Sequence, residues 1–308
     1  MTVDVIILTY KPDQKFLSAM DALKRQSLKP GKIIIMNTGQ DYFEALTPES
    51  VFLEKYDNGV ILHVKETDFD HGKTRNEAVS HVEADCFVMM TQDAVPFDDY
   101  LLENLVKILK DVENIAVSYA RQMPNDQSDE LECFIRNFNY GPGPIDKSKN
   151  DVDKLGIKAY FCSNVCSIYH TGIFKNLGGF PGKTIFNEDM IYAKKALDAG
   201  YIIHYEPQAM VYHAHHYTYR QQFKRNFDLG VSHAEYPEVF SGLAAESEGI
   251  RMIKAATLHL IKKGKPWLLF KLFCQSLAKY RGFRLGLRFQ TLTLKKILKY
   301  TNNPLYWK

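Results

Sequence analysis

The chain has 308 residues, 45% of them hydrophobic and 24% charged, enough for a full α/β domain with an appendage. No uninterrupted apolar window reaches the roughly 18 residues of a membrane span, and no basic stretch precedes the apolar Met1–Leu8, so neither a spanning helix nor a signal peptide is expected. Net charge of +3 hides a split: Arg251 to Lys308 carries fourteen Lys or Arg and no Asp or Glu, leaving 25 basic against 36 acidic residues in the first 250.

In chain order, Val3–Leu8 is almost wholly apolar, the pattern of a central parallel strand covered on both faces. A helix through about Gln26 and a second apolar strand, Lys32–Met36, complete a βαβ unit. Ligands of open parallel sheets bind beyond the carboxyl ends of strands. Thr9, Tyr10 and Asn37 are therefore candidates to meet a nucleotide, or else plain turn residues. No Gly-x-Gly-x-x-Gly opens the first helix and no Walker lysine loop occurs, so a diphosphate would have to be held by side chains and a metal.

In FDHGKTRNEA, Gly72 permits a tight turn and Thr74 can cap a helix over Arg75–His81. Arg75 can fork onto phosphate oxygens or pair with a strand-end aspartate; His71 either lines a sugar pocket or bonds the loop backbone. Cys86–Met90 reads as a third buried strand, ending in Thr91-Gln92-Asp93-Ala94. Ser118–Asp151, with Gly141-Pro142-Gly143-Pro144, reads as a long loop serving as a lid or acceptor flap, with Arg121 and Gln122 placed to line a sugar site. Tyr160–Tyr169 reads as another strand, whose Asn164 amide could bond a sugar hydroxyl. The five cysteines read as free thiols of a cytosolic protein, and Cys162 and Cys166 lack a zinc-site pattern.

Leu177–His216 combines a glycine-rich turn, the acidic pair Glu188-Asp189, a helix over Met190–Ala199 stopped by Gly200, and a strand Ala209–Tyr212 ending in His213, with His215 and His216 close behind. Carboxylates at a helix N-terminus favour the ionised form, so Asp189 is expected to stand deprotonated at neutral pH and able to take a proton from a hydroxyl. The alternative is that the pair only caps the helix. The last 58 residues hold Trp267, Phe270, Phe273 and Tyr280 among the basic residues, with helical apolar spacing in Leu268–Leu277 and Leu285–Leu298. Such helices suit an anionic membrane surface, where each Lys or Arg contributes on the order of 1 kcal/mol. Packing on the body or on a second subunit is the rival reading. Nucleic acid is not expected, because the acidic body offers no second basic surface.

Gly-Gly-Phe, a short loop, Glu-Asp, a helix ended by Gly, a strand, Pro207 and an apolar-Tyr-His resemble the acceptor half of the family 2 glycosyltransferases, inverting enzymes of the GT-A fold. Asp70–Asn76, Gln92-Asp93-Ala94 and His213-Ala214-His215 look most like the bacterial rhamnosyltransferases. The resemblance covers roughly residues 3–235. It implies an α/β GT-A fold with a mostly parallel central sheet flanked by helices: a transferase domain over 1–235, nucleotide-binding over 1–115 and acceptor-binding over 116–235, then a basic helical tail over 236–308.

The resemblance assigns Asp189 as general base with Glu188 orienting it, and Thr9, Tyr10, Asn37, Arg75, Gln92 and Asp93 to the nucleotide sugar. Where the family usually has Asp-x-Asp, Gln92 and Ala94 flank the single Asp93, so His213 is expected to supply a second ligand to Mn²⁺ or Mg²⁺. The implied donor is dTDP-L-rhamnose and the implied acceptor a lipid-linked saccharide in cell-wall or surface polysaccharide assembly, giving an α-rhamnoside at the cytoplasmic face of the plasma membrane. The tail would act there peripherally or in a homodimer. Rival classes are another nucleotide-sugar specificity, a nucleotidyltransferase, which would need a glycine-rich loop where Thr-Tyr-Lys-Pro stands, and a non-catalytic sugar-binding or scaffold protein.

Overall fold

The computed structural model describes residues 1–242 and 245–308, with the side chains of 245–247 left aside. The first half runs β1 (Val3–Tyr10), α1 (Gln14–Arg25), β2 (Ile33–Thr38), α2 (Gln40–Leu46), α3 (Glu49–Lys55), β3 (Gly59–Val64), α4 (His71–Ser80), β4 (Cys86–Thr91), β5 (Val95–Pro96), α5 (Leu101–Asp111) and β6 (Ile115–Met123). Next come α6 (Glu130–Asn139), β7 (Ile145–Lys147), α7 (Val152–Leu155), β8 (Cys166–His170), α8 (Thr171–Asn176), α9 (Glu188–Asp198) and β9 (Ile202–Tyr212). The last part is helical: α10 (Tyr219–Glu235), α11 (Pro237–Phe240), α12 (Ala245–Lys262), α13 (Leu268–Gly286) and α14 (Leu294–Tyr300).

The sheet has the order β3-β2-β1-β4-β8-β6-β9-β5, with β7 also on β9. Strands β3, β2, β1 and β4 are parallel, as the apolar runs predict. Beyond them the sheet is mixed: β8 lies antiparallel between β4 and β6, and β6 and β9 run parallel. Alternate residues of β1 feed two separate cores: Ile6 packs toward α4, α8 and α9, while Val5 and Ile7 pack toward α1 and α5. Both faces are thus covered, which is why these strands carry no polar alternation.

Four local expectations are corrected. Segment 118–151 is not a loop throughout, because Asp129 and Glu132 form a reciprocal capping box that starts α6. The strand expected from Tyr160 begins only at Cys166, since the Asn164 N–H donates to Asp189 Oδ2 at 3.1 Å instead of to a ladder. Helix α4 starts at His71, not Arg75, and its cap is Asp70, whose Oδ1 accepts from the Gly72 and Lys73 N–H groups at 2.8 and 3.0 Å. Thr74 answers by accepting from the Asp70 N–H. Leu285–Leu298 is no single helix; it contains the end of α13, a 3₁₀ turn and the start of α14.

The tail is tied to the body along α10. A Cβ at Gly282 would lie 2.2 Å from the Phe223 carbonyl oxygen, one at Gly286 2.1 Å from that of Phe227, and one at Gly230 2.3 Å from that of Phe283. Bare backbone is what lets α10 and α13 lie this close. Buried Asp228 fastens the chain end, accepting from Thr301 Oγ1 at 2.6 Å and the Asn302 N–H at 2.9 Å. Among the described residues no helix is long and apolar enough to cross a membrane.

Candidate active site

Two groups of side chains gather at strand ends of this sheet, and a third at the start of α9. At the ends of β1 and β2, Thr9 Oγ1 donates to Asn37 Oδ1 at 2.8 Å, and Asn37 Nδ2 lies 3.1 Å from His63 Nδ1. Tyr10 is exposed and meets Tyr42 edge-on, with Lys11 Nζ over both rings. This leaves an open aromatic edge of the kind on which a base can stack. Gln92 spends its amide on the backbone: Oε1 accepts from the Tyr10 N–H at 2.8 Å and Nε2 donates to the Tyr10 carbonyl at 3.1 Å. It therefore locks the end of β1 to the turn that carries Asp93.

The second group is Asp93, His213 and His215, whose donor atoms all lie within 4.8 Å of one another. His213 Nε2 is 3.5 Å and His215 Nε2 3.2 Å from Asp93 Oδ2. His213 is buried, and this desolvation pushes its pKa down to about 3, so the imidazole is neutral. Its Nδ1 lies 3.0 Å from Gln122 Oε1, an acceptor only, so the proton is on Nδ1 and the Nε2 lone pair faces Asp93. Gln122 is itself fixed: Nε2 donates to Tyr140 Oη and to Ser163 Oγ, and Arg136 donates to Oε1. One carboxylate oxygen and two imidazole nitrogens, that of His213 with its tautomer fixed, fit a divalent ion that accepts mixed N and O donors. His215, left open by the sequence, joins Asp93 and His213, whereas His216 turns away to Glu132 at 3.1 Å.

The third group is the acidic pair that opens α9. Glu188 is buried and lies 3.2 Å from Arg75 Nε, and Asn164 Nδ2 donates to it at 2.9 Å. Burial opposes its ionisation, but Arg75, His71 and Asn164 outweigh burial and hold its pKa below the ordinary value. Asp189 is different. Burial, with the Glu188 charge adding to it, pushes its pKa up to about 7, although its carboxylate accepts from the Asn164 and Met190 N–H groups. The expectation that the helix dipole alone keeps Asp189 ionised is thus corrected: desolvation and a like charge win.

Arg75 makes no open fork in this arrangement. It is buried, donates to the His71 carbonyl at 2.8 Å and pairs with Glu188. Its neighbours in the same motif hold the loop before the acidic pair: Asn76 exchanges hydrogen bonds with the Phe180 backbone at 2.9 and 3.0 Å, and Asp70 Oδ2 accepts from the Thr184 N–H at 3.0 Å. Gly72 is not a turn residue; a Cβ there would lie 1.8 Å from the Pro181 carbonyl oxygen. Asn164, expected to meet a sugar hydroxyl, has its side chain engaged by Glu188 and Tyr169.

Beside the second group opens a 450 Å³ cavity lined by Gln122, Tyr140, Ser163, His213 and His215 and also by Arg136, Arg225 and Lys279, while Asp93, Glu188 and Asp189 are not among its walls. Arg121 is not among its walls. Sequence reasoning missed Arg136, Tyr140, Arg225 and Lys279. The capping box before Arg136 was a readable signal, but the approach of α13 was not.

The glycosyl transferase family 2 profile matches residues 4–178. The chain is similar to O-antigen chain rhamnosyltransferase RfbN of Salmonella typhimurium (strain LT2), 37% identical over 100% of this chain and 96% of that one. It is likewise similar to O-antigen chain rhamnosyltransferase WbaN of Salmonella anatum, 36% identical over 93% of this chain and 89% of that one. Among solved structures, a mannosyltransferase from Pyrobaculum calidifontis in complex with GDP-Man and Mn²⁺ has a TM-score of 0.56 at 18% identity, covering 99% of this chain and 84% of that chain. S. aureus TarS 1–349 in complex with UDP-GlcNAc has a TM-score of 0.51 at 14% identity, covering 94% and 92%. At these identities the structures speak for the fold alone.

Proposed function

The chain belongs to glycosyl transferase family 2, and on that premise we propose that this glycosyltransferase moves L-rhamnose from dTDP-β-L-rhamnose to a lipid-linked saccharide of O-antigen or a related surface polysaccharide. The observation that carries the reading is end-to-end similarity to two proteins named for rhamnose transfer to O-antigen chains. The acidic pair and the Asp93–His213–His215 cluster support it: Gln122, which meets His213, also donates to Ser163, the neighbour of the Asn164 whose N–H meets Asp189.

In the proposed reaction, residues 1–235 form the transferase domain, with 1–115 receiving the nucleotide and 116–235 the acceptor. The base of the donor lies against Thr9, Tyr10 and Asn37. The acceptor hydroxyl gives its proton to Asp189 as its oxygen forms a bond to C1 of the sugar. The C1–O bond to the diphosphate breaks, and dTDP leaves with the electron pair, so the anomeric centre inverts to an α-rhamnoside. Glu188 stays ionised beside Arg75 and, by its charge, keeps Asp189 basic enough to take that proton. Asp93, His213 and His215 would hold a divalent ion, Mn²⁺ suiting the two imidazoles better than Mg²⁺; such an ion supplies charge stabilisation for the departing diphosphate.

The basic residues 236–308 would bring the enzyme to the cytoplasmic face of an anionic membrane, with a homodimer through the same face as the rival use. Trp267, just before α13, and Phe270, Phe273 and Tyr280 on it are 54–72% exposed, which supports such a contact. The test is a mass-spectrometric donor screen with a synthetic saccharide acceptor. A rhamnoside from dTDP-rhamnose is expected; a product from another sugar nucleotide, or none, would overturn the donor assignment.

A further inference from the structure

The basic tail does more than surround the body: one of its helices opens onto the cavity. Gln275 and Lys279, one turn apart on α13, line it together with Arg136 of α6 and Arg225 of α10. Their face of α13 is continuous with Leu272, Gly282 and Gly286, the face pressed on the body. Phe270, Phe273, Leu277 and Tyr280 stand on the opposite face and are exposed. A single helix therefore shows Gln275 and Lys279 to the cavity and apolar side chains to the outside.

Charge in the cavity is unbalanced. Among the described residues none of Arg136, Arg225 and Lys279 forms an ion pair. Arg136 donates to Gln122 Oε1 and lies over the Tyr140 ring; Arg225 lies over the Phe186 and Tyr217 rings. The acid lining the same wall, Glu132, is engaged by Lys271 at 2.8 Å and His216 at 3.1 Å. Burial lowers the pKa of Lys279, and Arg225 lowers it further, and the three cations face only one lining acid, Glu132, which Lys271 and His216 already engage. Such an arrangement is costly unless an anion enters. None of Thr9, Tyr10, Asn37 and Asp93 lines the cavity.

We infer that Arg136, Arg225 and Lys279 form a subsite for the diphosphate of a lipid-linked acceptor, with Lys279 supplied by the same helix whose outer face meets the lipid. Three cations match the two to three negative charges of a diphosphate ester, and guanidinium forks suit its oxygens. The acceptor would thus be held at its phosphates while its sugar reaches Asp189. This rests on the glycosyltransferase reading and adds to it a second anion site besides the one for the donor.

Calorimetry of the full chain with decyl diphosphate in excess EDTA tests the subsite without turnover, using wild type, Lys279→Met and Lys279→Arg, with and without dTDP. Expected are binding by wild type, at least tenfold loss in Lys279→Met, recovery in Lys279→Arg, and no competition by dTDP. Absent binding, equal binding by Lys279→Met, or displacement by dTDP would each overturn the inference, the last by assigning the cations to the donor. Kinetics with one saccharide carried on an alkyl diphosphate or on a plain alkyl chain give the second readout. Lys279→Met should raise KM at least tenfold for the first acceptor only, with donor KM within twofold; equal effects on both acceptors would also overturn it. If wild type makes no glycoside yet binds decyl diphosphate as expected, the transfer reading fails and the subsite stands.

Discussion

Nδ1 of His213 stands 3.0 Å from Oε1 of Gln122, and that hydrogen bond decides which imidazole nitrogen is left to face Asp93. Gln122 in turn is held by Tyr140, Ser163 and Arg136. The amide therefore orients the ring without being a ligand.

Gln122→Leu should weaken Mn²⁺ binding by about 10–100-fold, the usual effect of losing such an outer partner. His213→Ala should weaken it further. Titration of the apo protein with Mn²⁺ reads both, and unchanged affinity in Gln122→Leu would remove the orienting role.

Asp189→Asn should bind donor normally while turnover falls by roughly 10²–10⁴, the contribution of a general base. Only the ionised form accepts a proton, so the wild-type rate should climb with pH and level off above about 7, where the Asp189 carboxyl titrates. A rate independent of pH between 5 and 8 would exclude Asp189 as the base.

The same carboxyl makes a prediction about stability. Its pKa is pushed from 3.8 up to about 7 in the fold, so between those values the folded chain keeps a proton that the unfolded chain gives up. Its contribution is full below the lower value and is lost as pH rises through the upper one. Asp189→Asn should therefore gain on wild type in urea midpoint as pH goes from 5 to 8. A constant difference across that range would contradict the shift.

Gly286→Ala offers a test of sign. In an open helix the change to Ala stabilises by roughly 0.5–1 kcal/mol, as expected for Gly249, which has nothing within 4 Å of a Cβ. At Gly286 the added carbon would meet the Phe227 carbonyl oxygen at 2.1 Å, and overpacking typically costs about 1–3 kcal/mol. Urea denaturation should show opposite signs for the two substitutions. Stabilisation in both would mean that α13 is not seated on α10.

Phe270 and Phe273 are 72% and 61% exposed, so Ser at both should leave thermal stability unchanged. Binding to anionic vesicles should drop, and what remains should be salt-sensitive because it depends on Lys and Arg. Equal vesicle binding by wild type and the double variant would argue against membrane contact through this face.

Strands β1, β2 and β4 were legible because burial on both faces makes their centres apolar runs without polar alternation, and α9 because Glu-Asp opens it and Gly200 follows its end. Helix α6 was hidden by the neighbouring Gly-Pro-Gly-Pro, although Asp129 and Glu132 carried the signal. The site was harder. Asp93, His213 and the acidic pair could be named from strand ends and a helix start, but the protonation of Asp189 depends on burial that no local pattern reports. Gln122 and His213 are 91 residues apart, and Lys279 reaches the cavity only because three glycines let two helices touch. Arg75 illustrates the same limit: its residue type suggested phosphate, and its surroundings pair it with Glu188.

The absent side chain at Gly72 has a wider consequence. With Pro181 against its backbone, and Asp70 and Asn76 gripping Thr184 and Phe180, the early helix and the approach to the carboxylate pair behave as one welded part. Segments 124–139 and 214–226 lie outside that weld. Substitutions in those walls should therefore leave the positions of Glu188 and Asp189 unchanged.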